Sequence, residues 1–263
     1  MPKRSQKSRI PLPREHGAWG ILIGAFLSVP AYTKTIAISQ ITFLLAILLL
    51  FISREPLLQM IRGKYQRDLF LWFLRFAVAG AGFLALSAYL AGFPELIAYT
   101  ALMSLFFVFE MVLVRQGKAM SFLAHLIGTI GLTTIAPLTL LIHTRSVQPT
   151  VWFIWFLNIL FFVSGILFVR YEIALKSRSA RNRQEARRYR MAMILYHLLL
   201  LVFFAVLIYA DNLVTSTIFL FLPITLQGFW AVISQQAISN LKLVGWLQVG
   251  QTLFFVFLIA WLI

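Results

Sequence analysis

Cysteine is absent from the 263 residues. That excludes disulfides, thiolate nucleophiles, cysteine-ligated metal and c-type haem attachment. Acidic residues are also scarce, with 8 Asp and Glu against 23 Lys and Arg, and only 12% of the chain is charged. An ordinary soluble domain carries about twice that share of charge. The chain contains no Gly-rich phosphate loop, Gly-x-Ser-x-Gly elbow or dinucleotide fingerprint, so the common nucleotide-binding and serine-hydrolase motifs are excluded. His-Glu-x-x-His spacing is missing as well. No metal site is expected, and the sequence leaves any cofactor unknown.

What is present is apolar length. Hydrophobic residues make up 61% of the chain, 25 of them Phe, and the mean hydropathy is +0.88. A bilayer-spanning helix consumes about 20 such residues. The apolar runs are unbroken and lack the roughly 10-residue alternating segments of an outer-membrane barrel. Lipid offers no partner to open backbone groups, which leaves helices. Apolar length places spans near 17–33, 37–53, 69–91, 95–114, 120–142, 150–171, 190–210, 213–233 and 242–262. The expected fold is an all-α membrane protein of about nine transmembrane helices. It comprises a basic segment 1–16 and one polytopic domain 17–263.

The net charge of +15 is concentrated at membrane-flanking positions. Lys3, Arg4, Lys7, Arg9 and Arg14 open the chain, and eight more basic residues lie between Arg170 and Arg190. The connections 54–68, 115–119, 172–189 and 234–241 hold nearly all the remaining Lys and Arg, whereas the alternate connections carry only Lys34 and Arg145. Positive charge is retained in the cytoplasm during insertion and attracts anionic headgroups. This asymmetry predicts a multi-pass membrane protein, its N-terminus cytoplasmic and its C-terminus outside. The expected partner is a bilayer with anionic headgroups rather than nucleic acid. The opening reads as a retained basic segment, not a cleaved leader, since no small-residue cleavage pattern follows it.

Two corners of the sequence match. The second span ends Phe51-Ile52-Ser53-Arg54-Glu55 and the sixth Phe168-Val169-Arg170-Tyr171-Glu172. Each is an apolar helix closing on a basic residue and a glutamate, followed by a long basic connection. Two four-helix repeats, roughly 17–119 and 120–241, with a ninth helix 242–263, are expected to present these corners to one cavity, a recurrent membrane-protein arrangement.

Candidate chemistry follows the ionisable groups. Pro13-Arg14-Glu15-His16-Gly17-Ala18-Trp19 sets three ionisable side chains at the mouth of the first span. Glu15, His16, Glu55 and Glu172 are the candidates for moving a proton. Arg14, Arg54, Arg62, Lys64, Arg170, Tyr171 and Lys176 are candidates for binding a ligand, because Arg and Lys suit anionic heads. Arg75, Glu110, His125 and His197 fall inside spans, where an unpaired charge costs several kcal/mol, and join them as lining of a polar cavity. Arg75 and Glu110 are a possible neutralising pair. The amides Asn158, Gln227, Gln235, Gln236, Asn240, Gln248 and Gln251 read as interhelical glue.

The segment Pro13 to Trp19, opening a basic protein of about nine spans, resembles the YwiC-like family of bacterial membrane proteins. The two loops after the second and sixth helices also resemble those of UbiA-type intramembrane prenyltransferases, which carry Asp-rich motifs that hold magnesium on an isoprenoid diphosphate. Here the matching places read Arg54-Glu55-Pro56 and Tyr171-Glu172-Ile173-Ala174-Leu175-Lys176, without the aspartates. The resemblance implies a UbiA-like bundle and a prenyltransferase-like activity, or binding of an isoprenoid, quinone-like or other lipid ligand. A secondary transporter and a scaffold subunit of a membrane complex are the rival expectations.

Overall fold

The structure is a computed structural model that describes residues 12–13, 16–176, 180–210, 215–238 and 240–263. These residues form nine helices and no strand. They are α1 Gly17–Thr33, α2 Ile38–Ile61, α3 Arg67–Ala91, α4 Glu95–Arg115, α5 Phe122–Thr144, α6 Pro149–Lys176, α7 Ala180–Tyr209, α8 Leu222–Ser234 and α9 Leu241–Leu262. Helix α4 is interrupted at Ser104 and α5 at Thr134, and a 3-10 turn, Thr215–Leu220, precedes α8. Seven of the nine, α2 to α7 and α9, are long and apolar enough to cross a membrane. The shorter α1 carries Pro30 internally, and α8 has 13 residues. The all-α membrane expectation of nine helices holds.

Two helices extend further than apolar length alone suggests. α2 continues through Arg54 and Glu55 to Ile61, and α6 continues to Lys176. Arg, Glu, Leu, Gln, Met and Lys are strong helix formers, so leaving the apolar run does not end the helix. Pro56 lies within α2 and removes one backbone donor. The connections expected at 54–68 and 172–189 are therefore largely helical, and the sequence corners sit inside helices instead of at their ends.

The described helices group into two units, one of residues Ile36–Gly131 and Leu138–Val147, the other of Gly17–Thr35, Leu132–Pro137 and Gln148–Ile263. In the first, α2 and α3 form the most extensive helix pair. Gly80 permits their close approach, since a Cβ there would fall 2.8 Å from Leu50 Cγ and 3.1 Å from the Ala46 carbonyl oxygen. Ser87 Oγ donates to the Ser39 carbonyl at 2.7 Å. Gly92, in the left-handed region at φ 62°, closes α3.

In the second unit α6 is central. Val151, Ile154, Leu157, Phe161, Phe168 and Tyr171 are all buried on it. Phe161 stacks on Phe255 of α9 with centroids 4.1 Å apart. Asn158, wholly buried, donates to Ser28 Oγ of α1 at 3.0 Å and to the Ile154 carbonyl at 2.9 Å. Trp155 donates its indole N–H to Thr133 Oγ1 at 3.1 Å. The start of α9 is capped by Asn240, whose Oδ1 accepts from the Lys242 N–H at 2.9 Å.

The α2–α3 approach carries a test. Gly80→Leu is expected to destabilise the protein by about 1–3 kcal/mol or more, because the obstructing atoms include backbone. Thermal unfolding in mild detergent, compared with Gly82→Leu at a glycine whose Cβ position is open, measures the difference.

Candidate functional site

Of the residues singled out from sequence, Arg14, Glu15 and the side chain of His16 lie outside the described residues. The others divide between the two units. Arg54, Glu55, Arg62, Lys64, Arg75, Glu110 and His125 belong to the first; Arg170, Tyr171, Glu172, Lys176 and His197 belong to the second.

In the first unit the central polar contact is an ion pair between α2 and α4. Arg54 Nε donates to Glu110 Oε2 at 3.2 Å, and Arg54 Nη2 bonds Glu110 Oε1. Both side chains are largely buried, at 10% and 14% exposure. Arg54 also lies over the Phe51 ring, 5.8 Å from its centroid. Gly128 of α5 packs beside the carboxyl, where a Cβ would stand in ordinary van der Waals contact, 3.7 Å from Glu110 Oε1. The partner of Glu110 is thus Arg54 and not Arg75, which instead rests over Trp72. Glu55, half-buried, accepts from Gln59 Nε2 one turn along at 2.9 Å. His125 Nδ1 lies 2.9 Å from the Ser121 carbonyl of its own helix. Arg62 and Lys64 are exposed on the α2–α3 connection.

The second unit holds a corner of a different kind. Tyr171 and Glu172, near the end of α6, are each 1% exposed. Glu172 Oε2 accepts from the Ile238 N–H at 2.8 Å, which ties α6 to the stretch between α8 and α9. Its other oxygen, Oε1, has no hydrogen-bond partner; neither does the Tyr171 hydroxyl, nor Nε of Arg190 on α7. The charge of Arg190 is felt at the Tyr171 hydroxyl, which brings α7 near this end of α6. Six buried side-chain polar atoms lack a partner among the described residues, on Asn158, Tyr171, Glu172, Arg190, Thr225 and Gln251, and all six belong to this unit. A buried polar group left unpaired costs roughly 1–3 kcal/mol, more when charged, so the three on Tyr171, Glu172 and Arg190 call for an explanation.

His197 lacks that openness. Its Nδ1 is 2.8 Å from the Met193 carbonyl and its Nε2 is 2.9 Å from Ser164 Oγ. With Nδ1 donating to the carbonyl, Nε2 accepts from the hydroxyl, and both ring nitrogens are used inside the fold. A Cβ on Gly228 would fall 2.5 Å from the ring, so α8 packs directly on it. Gln248 Nε2 donates to Gln227 Oε1 at 3.2 Å, the interhelical bond expected of the late amides. Arg170 is half-buried and Lys176 exposed, and each is engaged by an interaction of its own.

Sequence reading counts Arg190 among the basic residues flanking the membrane and not among the candidate site residues. A helical signal was available: Ala186, Met193, His197, Leu200 and Phe204 recur at three- and four-residue spacing and are buried, and Arg190 continues that stripe. The Ile238 N–H, a backbone group in a connection, has no sequence signature.

Fold and polar interior together define an all-helical, multi-pass membrane protein. Residues 12–140, from the start of the described chain to within α5, match the sequence profile of the family described as YwiC-like protein. No curated protein and no solved structure matches the chain. The Arg54–Glu110 pair lies inside the matched stretch, whereas Tyr171, Glu172 and Arg190 lie beyond it.

Breaking the ion pair from one side strands a charge within a span. Glu110→Ala is expected to cost about 3–5 kcal/mol, and the double replacement Arg54→Met with Glu110→Met far less. Unfolding of the purified variants in detergent checks both. Equal losses from the single and double variants would contradict the pairing.

Proposed function

We propose that the protein binds a long apolar ligand, isoprenoid or lipid in character, whose uncharged hydrogen-bonding head of the quinone or quinol type occupies the Tyr171–Glu172–Arg190 corner. The observation that carries this reading is the open bonding capacity there: one carboxyl oxygen, one phenolic hydroxyl and one guanidinium N–H, all buried and unpartnered. A head bearing a carbonyl and a hydroxyl matches that set. Its carbonyl accepts from Arg190 or Tyr171, and its hydroxyl donates to Glu172 Oε1.

Charge argues against a diphosphate head. It would bring further negative charge against the buried Glu172, with the other corner's Arg54 already committed to Glu110. The reading therefore takes from the UbiA-like expectation its isoprenoid class of ligand and not its metal-dependent transfer. It is a binding function without a chemical step. The placement of basic residues supports a bacterial inner-membrane location with the N-terminus in the cytoplasm, which sets the corner at the cytoplasmic end of α6.

Titration of the purified protein with a short-tailed quinone and its quinol tests the proposal. Wild type is expected to bind, and Tyr171→Phe to bind about 3- to 10-fold more weakly, the worth of one neutral hydrogen bond. Glu172→Gln is expected to weaken quinol binding about tenfold or more while leaving thermal stability within reach of wild type, since an amide oxygen still accepts from the Ile238 N–H. Unchanged affinity in both variants would overturn the assignment.

A further inference from the structure

Arg75 is a charge inside a membrane span that has no counter-ion among the described residues of the first unit. It lies eight residues past Arg67, the first residue of α3, about 12 Å along the helix axis. It is exposed. Its guanidinium carbon lies 5.2 Å from the centroid of the Trp72 ring. The described acidic groups of the same unit are accounted for elsewhere: Glu110 pairs with Arg54, Glu55 bonds Gln59, Asp68 is two helical turns away, and Glu95 opens α4 beyond the far end of α3.

An exposed guanidinium at that depth costs several kcal/mol unless it reaches the interface or meets an anion. Trp72 lies one turn toward the basic end of α3, so the side chain is already turned that way, the snorkelling direction of a helical residue. Arg62, Lys64 and Arg67 are exposed at the same end. Arg67, Leu71 and Arg75 follow at four-residue spacing along one side of the helix. Beside them runs a second exposed stripe, Phe70, Leu74 and Val78. A cationic head over an apolar strip has the form of one amphipathic molecule.

We infer that Arg75, stacked on Trp72 and assisted by Arg67, holds the phosphate of an anionic phospholipid whose acyl chain lies along Phe70, Leu74 and Val78. Arg presents a fork that a phosphate can accept bidentately. This site is independent of the corner on α6 and α7 and of any ligand bound there.

The test is native mass spectrometry of the protein released from nanodiscs of equal phosphatidylglycerol and phosphatidylcholine. Wild type is expected to retain phosphatidylglycerol in preference to phosphatidylcholine. Arg75→Gln is expected to lower that retention about tenfold, and Arg75→Lys to keep part of it, having the charge but not the fork. Trp72→Leu, which leaves the charge in place, is expected to lower it roughly two- to fivefold and serves if Arg75→Gln fails to fold. Equal retention of the two lipids by wild type, or undiminished phosphatidylglycerol on Arg75→Gln, would overturn the inference. Displacement of the lipid by millimolar inorganic phosphate would instead assign a soluble-anion site, and a lipid-free dimer lost on Arg75→Gln would assign the face to a second copy; either result also overturns it.

Discussion

Hydrocarbon supplies no hydrogen-bond partner, so every polar group carried into the membrane has to be satisfied by the fold itself or by something that the fold binds. Most of the interior follows from that constraint. Arg54 and Glu110 neutralise each other between two helices. Asn158 bonds Ser28 and its own helix, and His197 divides its two nitrogens between a carbonyl and a hydroxyl. These side chains are answered by another side chain or by a backbone carbonyl. The corner at Tyr171, Glu172 and Arg190 departs from this pattern, with three groups each keeping one capacity in reserve.

The two units differ in this respect. The first satisfies its buried polar side chains among the described residues, while every unpartnered buried polar atom belongs to the second. A fold under selection for stability alone gains by filling or deleting such groups. Their concentration among the described residues of one unit is what the proposed binding function rests on, and the first unit is the framework that holds the Arg54–Glu110 pair. The family profile covers mainly that framework, so the resemblance to YwiC-like proteins speaks to the part of the chain that carries the ion pair and not to the part that carries the open corner.

Much of the architecture was legible in the sequence because apolar length is a direct consequence of bilayer thickness. The ends of α2 and α6 were not, because Arg, Glu and Lys leave the membrane without leaving the helix. Within the interior, sequence could say that Arg54, Arg75, Glu110 and His197 needed partners but not which ones. Glu110 chose Arg54 over Arg75 because the contact is between α2 and α4, a tertiary choice that spacing along one helix does not encode. His197 read as a ligand group and is a satisfied core residue, while Arg190 read as solvent-facing and completes the corner. Helical periodicity through Met193 and His197 carried that information. The Ile238 amide that holds Glu172 carried none, since a backbone donor looks the same in every sequence.

The most direct measurement is mass spectrometry of the small lipids extracted from protein purified in mild detergent, wild type beside a Tyr171→Phe, Glu172→Gln double variant. The account predicts a quinone-like or hydroxylated isoprenoid species in near-stoichiometric amount with wild type and its loss from the variant. Bulk phospholipid alone with both proteins would contradict it.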